Sequence, residues 1–136
     1  MLNLTKAIFS KLSGSALSAH IGTRLISHYA DEGTTYPYIV YFVVTDIPEY
    51  PGGKTIEKFL IQFSLFSLLS GPTEVESMLT DLWTLYDDVV LTVAGYTGIY
   101  FIRGILTEMR EDHTTPAGTF GVYHYVQEYD GWIVAD

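Results

Sequence analysis

The stretch that decides the fold is Phe59-Leu60-Ile61-Gln62-Phe63-Ser64-Leu65-Phe66-Ser67, because its apolar side chains recur at every second position. One face of an extended chain then carries four large apolar residues, Phe59, Ile61, Phe63 and Leu65. The opposite face mixes the polar Gln62 and Ser64 with apolar residues. This period of two predicts a strand with one face buried and the other partly covered.

A strongly amphipathic helix is predicted directly after this strand. Gly71-Pro72 ends the strand, and Thr73 with Glu76 three residues later matches a capping box, in which two side chains satisfy free amides at a helix N-terminus. Helical spacing relates the apolar residues that follow: Val75, Met78, Leu79, Leu82, Trp83 and Tyr86. A strand that leads into a helix whose apolar stripe must lie on a sheet predicts a two-layer α+β domain.

The rest of the chain extends this pattern in both directions. A first helix ends at Ser13-Gly14, and a short second turn runs from Ser15 to Ala19. Strands are predicted on both sides of the central helix, at Arg24–Tyr29, Tyr36–Thr45, Val89–Val93, Ile99–Met109 and Phe120–Tyr129. We therefore expect one domain over residues 1–136. In it, a mostly antiparallel or mixed sheet carries an N-terminal helix and one central amphipathic helix packed on it.

Two connections are predicted to be long loops. Asp46–Lys54 contains two prolines and two glycines, and Glu111–Gly118 contains one of each. Loops longer than an ordinary hairpin connection often carry contacts to other molecules. Both loops are therefore candidate interaction segments.

Charge and composition restrict the classes of function. The chain has a net charge of −9, which argues against binding nucleic acid through its phosphates. It contains no cysteine, so thiolate chemistry is absent, and no apolar run is long enough to cross a membrane. Residues 1–24 hold three basic residues and no acid, giving +3, whereas residues 25–136 hold 4 basic and 16 acidic residues, giving −12. Head-to-tail association of copies is one interpretation of this asymmetry; two solvated faces are the other.

The sequence contains no pattern typical of catalysis. It has no glycine-rich phosphate loop and no glycine-flanked nucleophilic serine that follows a strand. The best candidate for a metal site is the group Glu108, Glu111, Asp112 and His113, but its spacing does not direct the ligands at one centre. We therefore predict that the protein is not an enzyme and that it has no catalytic residues, no cofactor and no metal.

Tyrosines are concentrated in the predicted strands. Tyr123, Tyr125 and Tyr129 alternate on one face of the last strand. Tyrosine packs well on a pleated sheet, and it is also enriched at protein interfaces. Packing within the sheet is the first interpretation, and a surface that faces a partner is the alternative.

Taken together, the chain resembles the tail-completion, or tail-terminator, proteins of long-tailed bacteriophages and prophages. The resemblance covers most of the chain, up to about Tyr129. It is carried by the following segments in this order: Ala7-Ile8-Phe9 with Lys11-Leu12, Ile21-Gly22-Thr23-Arg24-Leu25, Tyr36-Pro37-Tyr38-Ile39-Val40-Tyr41, Ile61-Gln62-Phe63-Ser64-Leu65-Phe66-Ser67, and the acidic helix that contains Leu82.

The resemblance implies a structural virion protein that is made in the bacterial host cytoplasm and lies at the head–tail junction. Copies would form a ring, commonly a hexamer, that caps the tail tube protein and offers a surface to the head connector. Acidic residues in the channel would repel DNA, so that the genome passes without specific binding. No association with a membrane is expected. Contacts within the ring would come from the basic first helix, the two predicted loops and the last strand, that is from Lys6, Lys11, Glu49, Tyr50, Lys54, Glu111, Asp112, His113, Tyr123 and Tyr125.

Two other functions remain open at this point. A head-closure or adaptor subunit of the same junction would use the same ring and a different partner. A small-ligand-binding or enzymatic α+β domain would instead use a pocket between the central helix and the sheet. A closed cleft in which an ionisable group converges with His124 or Arg103 would favour that last function.

Overall fold

We describe the chain from a computed structural model, which covers residues 2–30, 33–49, 52–53, 55–68, 71–116 and 118–136. Helices α1 and α2 come first, followed by strands β1 to β3, helix α3 and strands β4 to β6. Their bounds are α1 Leu2–Ser10, α2 Ser18–Ile21, β1 Leu25–Ser27, β2 Tyr38–Glu49, β3 Ile56–Leu68, α3 Thr73–Tyr86, β4 Val90–Leu91, β5 Tyr96–Thr115 and β6 Gly118–Ala135. The α+β class and the order of the main elements are confirmed.

The strands form one mixed sheet with the order β1-β2-β3-β6-β5-β4. β1 pairs parallel with β2, and every other neighbouring pair is antiparallel. The predicted strand around Phe63 is therefore β3, one of the two central strands. Its alternation is confirmed, because Phe59, Ile61, Phe63 and Leu65 are all buried.

The three helices cover one face of the sheet and enclose the core. α1 and α2 contribute Leu4, Ile8 and Ile21, and α3 contributes the buried face of its apolar stripe. An aromatic cluster joins the layers: the ring of Tyr86 stacks on Phe63 at a centroid distance of 5.1 Å and meets Phe101 edge-on. The Tyr86 hydroxyl donates a hydrogen bond to the carbonyl oxygen of Ile8 at 2.7 Å. This buried bond ties α3 to α1.

The predicted capping box at the start of α3 is wrong. Pro72 occupies the cap position, and no side chain caps the helix. Instead, the Glu74 carboxylate accepts a hydrogen bond from the buried Ser67 hydroxyl at 2.6 Å, and the Glu76 carboxylate accepts one from the Tyr125 hydroxyl at 3.0 Å. Both acids of the first turn therefore bind the sheet rather than their own helix, because α3 lies directly on β3 and β6.

The two predicted loops are also largely wrong. Asp46–Glu49 continues β2, whose pairing with β3 extends to Glu49 opposite Ile56. Glu111–Thr115 continues β5, and Gly118 already begins β6. Pairing with a long partner strand keeps both segments extended, even though their composition is typical of loops.

Candidate interaction surfaces

The β5–β6 hairpin reaches beyond the central strands of the sheet. β3 ends at Leu68 opposite Val122, whereas β5 and β6 remain paired to Thr115 and Gly118. We call this extension, residues 112–116 and 118–121, the hairpin arm. His113 of the arm bonds to the Tyr36 hydroxyl at 2.7 Å, and its ring lies 5.9 Å from that of Phe66. These contacts attach the arm on the face of the sheet that carries no helix.

A cluster of histidines and one carboxylate holds the arm at its base. Glu111 contacts His124 directly and lies 4.0 Å from the His113 ring nitrogen Nε2. The His124 ring stacks on Phe66 at 4.2 Å. Among the described residues, no group of three or more acidic or histidine side chains has the geometry for a metal ion. Of the four residues considered for a metal, only Glu111 and His113 meet, and their contacts attach the arm.

A buried polar network lies at an irregularity of β5 that precedes the arm. β5 has an irregularity between Arg103 and Leu106, and Gln127 of β6 lies beneath it. The Gln127 amide nitrogen donates to the carbonyl oxygens of Gly104 at 3.1 Å and Ile105 at 3.3 Å. Bulges bend a strand and change its direction. The Gln127 amide therefore provides hydrogen bonds to backbone carbonyl groups whose regular pairing in the sheet the bulge interrupts.

Helix α3 completes this network from the other layer. The Trp83 indole donates to Gln127, and the Arg103 guanidinium lies 4.0 Å above the Trp83 ring. Arg103 also approaches Asp87 at 3.5 Å, and Asp87 accepts a hydrogen bond from the Tyr129 hydroxyl at 2.6 Å. Burial, followed by this bond, raises the pKa of the Tyr129 hydroxyl far above its usual value. Arg103 is therefore a structural cation on the rim of the helix layer.

Two edges of the sheet are unpaired in the described part of the chain. β1 covers β2 only as far as Tyr41, so β2 is open from Phe42 to Glu49. On the other side, β4 and residues 88–89 bond to β5 only as far as Phe101, so β5 is open from Ile102 onward. Open edges present unused N–H and C=O groups and pair readily with another strand.

Large apolar side chains line both open edges on the face that carries no helix. β5 exposes Ile102, Ile105 and Met109, and Ile105 is 68 % exposed. β2 exposes Val44 and Ile47, and Ile47 is 57 % exposed. The tip of the arm adds Phe120. Apolar surface concentrated along a strand edge marks an interaction site more often than scattered exposed residues do.

The basic first helix forms a different surface. Lys6 and Lys11 line an open cleft of about 440 Å³ between α1 and the β4 segment, together with Asn3, Ser10 and Val90. The described residues pair neither lysine with an acid. The cleft is therefore suited to an acidic partner.

The predicted interface residues fall into three groups. Six of them are at least partly exposed: Lys6, Lys11, Glu49, Glu111, Asp112 and His113. Glu49 also forms an ion pair with Lys58 at 3.0 Å. Tyr125 is only 5 % exposed under α3, so it belongs to the core, and Tyr123 packs beside it with a centroid distance of 6.3 Å. Tyr50 and Lys54 lie outside the described residues. Sequence reasoning did not identify Ile105, Met109 and Arg110 as exposed residues of a sheet edge, because that exposure depends on which edge of the sheet is open.

A ligand pocket between helix and sheet has little support. Two further open clefts have volumes of about 600 and 620 Å³, and both lie along the helices. Neither is lined by His124 or Arg103. One of these clefts contains a hydrogen bond between His20 and Asp81 at 2.7 Å, which joins α2 to α3. Among the described residues, no helix is long and apolar enough to span a membrane.

Comparison with known proteins identifies a fold relative. A chain in the solved structure of the virion of a native gene transfer agent particle matches with a TM-score of 0.58 and 14 % sequence identity. The match covers 94 % of this chain and 94 % of that chain. No family model matches the sequence, and no curated protein matches it either. At this identity, the similarity establishes the fold over nearly the full length.

Proposed function

We propose that this protein is a structural virion protein that caps a phage tail tube and joins it to the head connector as a ring. The observation that carries the proposal is the fold that the chain shares, over 94 % of both lengths, with a chain of a gene transfer agent virion. A gene transfer agent particle is phage-like. The order of segments that resembles tail-terminator proteins supports the same function independently of the fold comparison.

The surfaces of the chain fit a protein that assembles. Open strand edges with exposed apolar side chains promote aggregation of a monomer, whereas in a ring they can form the contacts between subunits. A basic cleft on α1 and an acidic remainder of the chain favour head-to-tail contacts, which close into a ring when the rotation allows it. The acidic balance also suits a channel through which DNA moves without binding.

The first experiment is the native mass of the purified protein over a range of concentrations, measured by light scattering after size exclusion. A ring-sized species is expected, and electron microscopy with purified tail tubes should then show density at one end of each tube. Failure to bind tubes under conditions in which the ring is present would contradict the capping role.

A head-closure or adaptor subunit is the second candidate, because the open edges and the basic cleft fit either position. The two differ in which particle the ring binds. Tubes without heads should bind a terminator, whereas DNA-filled heads without tails should bind an adaptor. Mixing the protein with each particle separately and sedimenting the complexes decides between them.

A further inference from the structure

The two open edges of the sheet have the directions and side chains needed to pair with each other between copies. β2 runs antiparallel to β3, β3 to β6, and β6 to β5. β2 therefore runs opposite to β5 within one chain. A second copy whose sheet continues the first sheet therefore presents its β2 antiparallel to β5 of the first copy. This pairing requires no change in the conformation of either chain.

We propose that the open edge of β5 binds the open edge of β2 from a second copy of this chain, with Arg110 opposite Asp46 and Met109 opposite Ile47. This inference rests on the proposed ring, for which it supplies the subunit contact. It is head to tail, because each copy contributes a different edge.

The backbone of β5 is available for pairing at Arg110. Phe101 exchanges backbone hydrogen bonds with residues 88 and 89, so its N–H and C=O point away from its partner Gly131 on β6. Donors and acceptors alternate sides along an antiparallel strand. His124 lies seven residues before Gly131, so it points toward β5, and its partner Met109 points back toward β6. Arg110 therefore directs its own N–H and C=O to the open side.

The same argument makes the backbone of β2 available at Asp46. Tyr41 accepts a hydrogen bond from the His28 amide, so it faces away from its partner Phe63. Phe59, the partner of Asp46, lies four residues before Phe63 on the regular strand β3. The backbone of Phe59 therefore has the same orientation as that of Phe63, with its N–H and C=O directed away from β2. Asp46, like Tyr41, directs its own N–H and C=O outward. Arg110 and Asp46 can exchange both backbone hydrogen bonds.

The register is set by features on both sides of Asp46. β2 is irregular between Val43 and Thr45, and Pro48 has no N–H to donate. Beyond the irregularity, Asp46 is therefore an outward-facing residue that has both a backbone N–H and a backbone C=O available for pairing. The ladder is short, so side chains must contribute to the specificity of the contact.

The side chains on both faces are complementary in this register. Met109 and Ile47 lie on the face without helices, where each leaves apolar surface in solvent. Arg110 and Asp46 lie on the helix-bearing face, because their partners Tyr123 and Phe59 pack into the core. Neither Arg110 nor Asp46 has an ion pair within the described ranges. Pairing the edges places an unpaired cation beside an unpaired anion and covers apolar surface with apolar surface.

Disulfide trapping tests the register directly, because the natural chain contains no cysteine. Met109 and Ile47 would form a non-hydrogen-bonded pair, whose Cα separation of about 4.5 Å suits a disulfide. A mixture of the Met109→Cys and Ile47→Cys chains, oxidised with copper phenanthroline, should give a covalent dimer. The matched control is Ile102→Cys mixed with Ile47→Cys, since Ile102 has similar exposure on the same face. It should give at least about tenfold less dimer.

The outcomes separate this contact from the proposed function. A ring-sized mass without preferential Met109–Ile47 cross-linking overturns the strand pairing and leaves the ring intact. Preferential cross-linking without a ring-sized species supports the pairing and counts against the ring. Equal cross-linking of the test and control mixtures, or none in either at the highest soluble concentration, overturns the pairing.

A charge exchange provides a second readout that leaves the backbone unchanged. Arg110→Asp should weaken self-association up to about fivefold, because it removes one exposed ion pair and adds a repulsion. Arg110→Asp combined with Asp46→Arg in the same chain should restore it. If the double variant associates no better than Arg110→Asp alone, the proposed pairing of these residues is wrong.

Discussion

The indole nitrogen of Trp83 on α3 donates a hydrogen bond to the side-chain oxygen of Gln127 on β6 at 2.9 Å. This bond fixes the orientation of the Gln127 amide, whose nitrogen then faces the carbonyl oxygens of the β5 bulge. A helix residue is thereby linked to the irregularity of β5, which lies in the open part of that strand. The core and the candidate interaction surface are connected through one buried amide.

Replacing that amide should destabilise the protein substantially. Gln127→Leu keeps the approximate volume but leaves the Trp83 N–H and the bulge carbonyls without a partner. Unpaired buried polar groups cost about 1–3 kcal/mol each, so we expect the free energy of unfolding to fall by about 2–4 kcal/mol. Urea denaturation measures it. Gln62→Leu is the control, because Gln62 is half-buried and its side chain donates a hydrogen bond to Ser64 at 3.3 Å rather than to a bulge carbonyl. Equal losses in both variants would contradict the importance of the bulge network.

The contact between α1 and α3 should depend on the Tyr86 hydroxyl. Tyr86→Phe removes its bond to the Ile8 carbonyl and should lower the free energy of unfolding by about 1–2 kcal/mol. Tyr29→Phe alters a hydroxyl on a side chain that is 74 % exposed, and it should change stability by less than about 0.5 kcal/mol. Thermal and urea unfolding both report the difference. A neutral Tyr86→Phe would mean that α1 docks through apolar contacts alone.

Stability should fall at alkaline pH. Burial raises the pKa of Tyr41 from 10.0 to about 12, and its hydroxyl donates to the Thr5 carbonyl at 3.0 Å. Between these pH values the folded state keeps a proton that the unfolded state has lost, so raising the pH favours unfolding. One such proton contributes a slope of about 1.4 kcal/mol per pH unit. The free energy of unfolding, measured from pH 9 to pH 12, should therefore decrease less steeply in Tyr41→Phe than in the natural chain. Parallel curves would contradict this assignment.

The basic cleft on α1 should contribute electrostatically to assembly. Lys6→Glu combined with Lys11→Glu reverses both lysines of the cleft and should weaken self-association at low salt. The effect should shrink as ionic strength rises, because exposed charges are screened within about 10 Å at 0.1 M salt. Lys58→Glu is the control, since Lys58 already pairs with Glu49 within its own chain. Unchanged association of the double variant at low salt would exclude an electrostatic contribution of α1.

Local patterns were sufficient to predict the layers of the fold. The alternation around Phe63 and the helical spacing from Val75 to Tyr86 predicted the buried faces of β3 and α3, because burial on one side requires those periods. The loops were predicted incorrectly because Asp46–Glu49 and Glu111–Thr115 pair with partner strands despite a loop-like composition. The helix cap was predicted incorrectly because Glu76 bonds to Tyr125 of the sheet and no side chain caps α3. The sequence left Tyr125 open between packing in the sheet and facing a partner, because only the fold shows that α3 covers that face of β6.

The sequence by itself determined the α+β class, the acidic balance and the faces of the central strand and helix, because each follows from residue types at short range. The tertiary structure alone decided which strand edges stay open, where β5 is irregular, and that Asp46 and Arg110 direct their backbone groups outward. Strand order and register depend on pairings between segments far apart in the chain. No local pattern specifies such pairings, so the proposed contact between copies became visible only in the folded sheet.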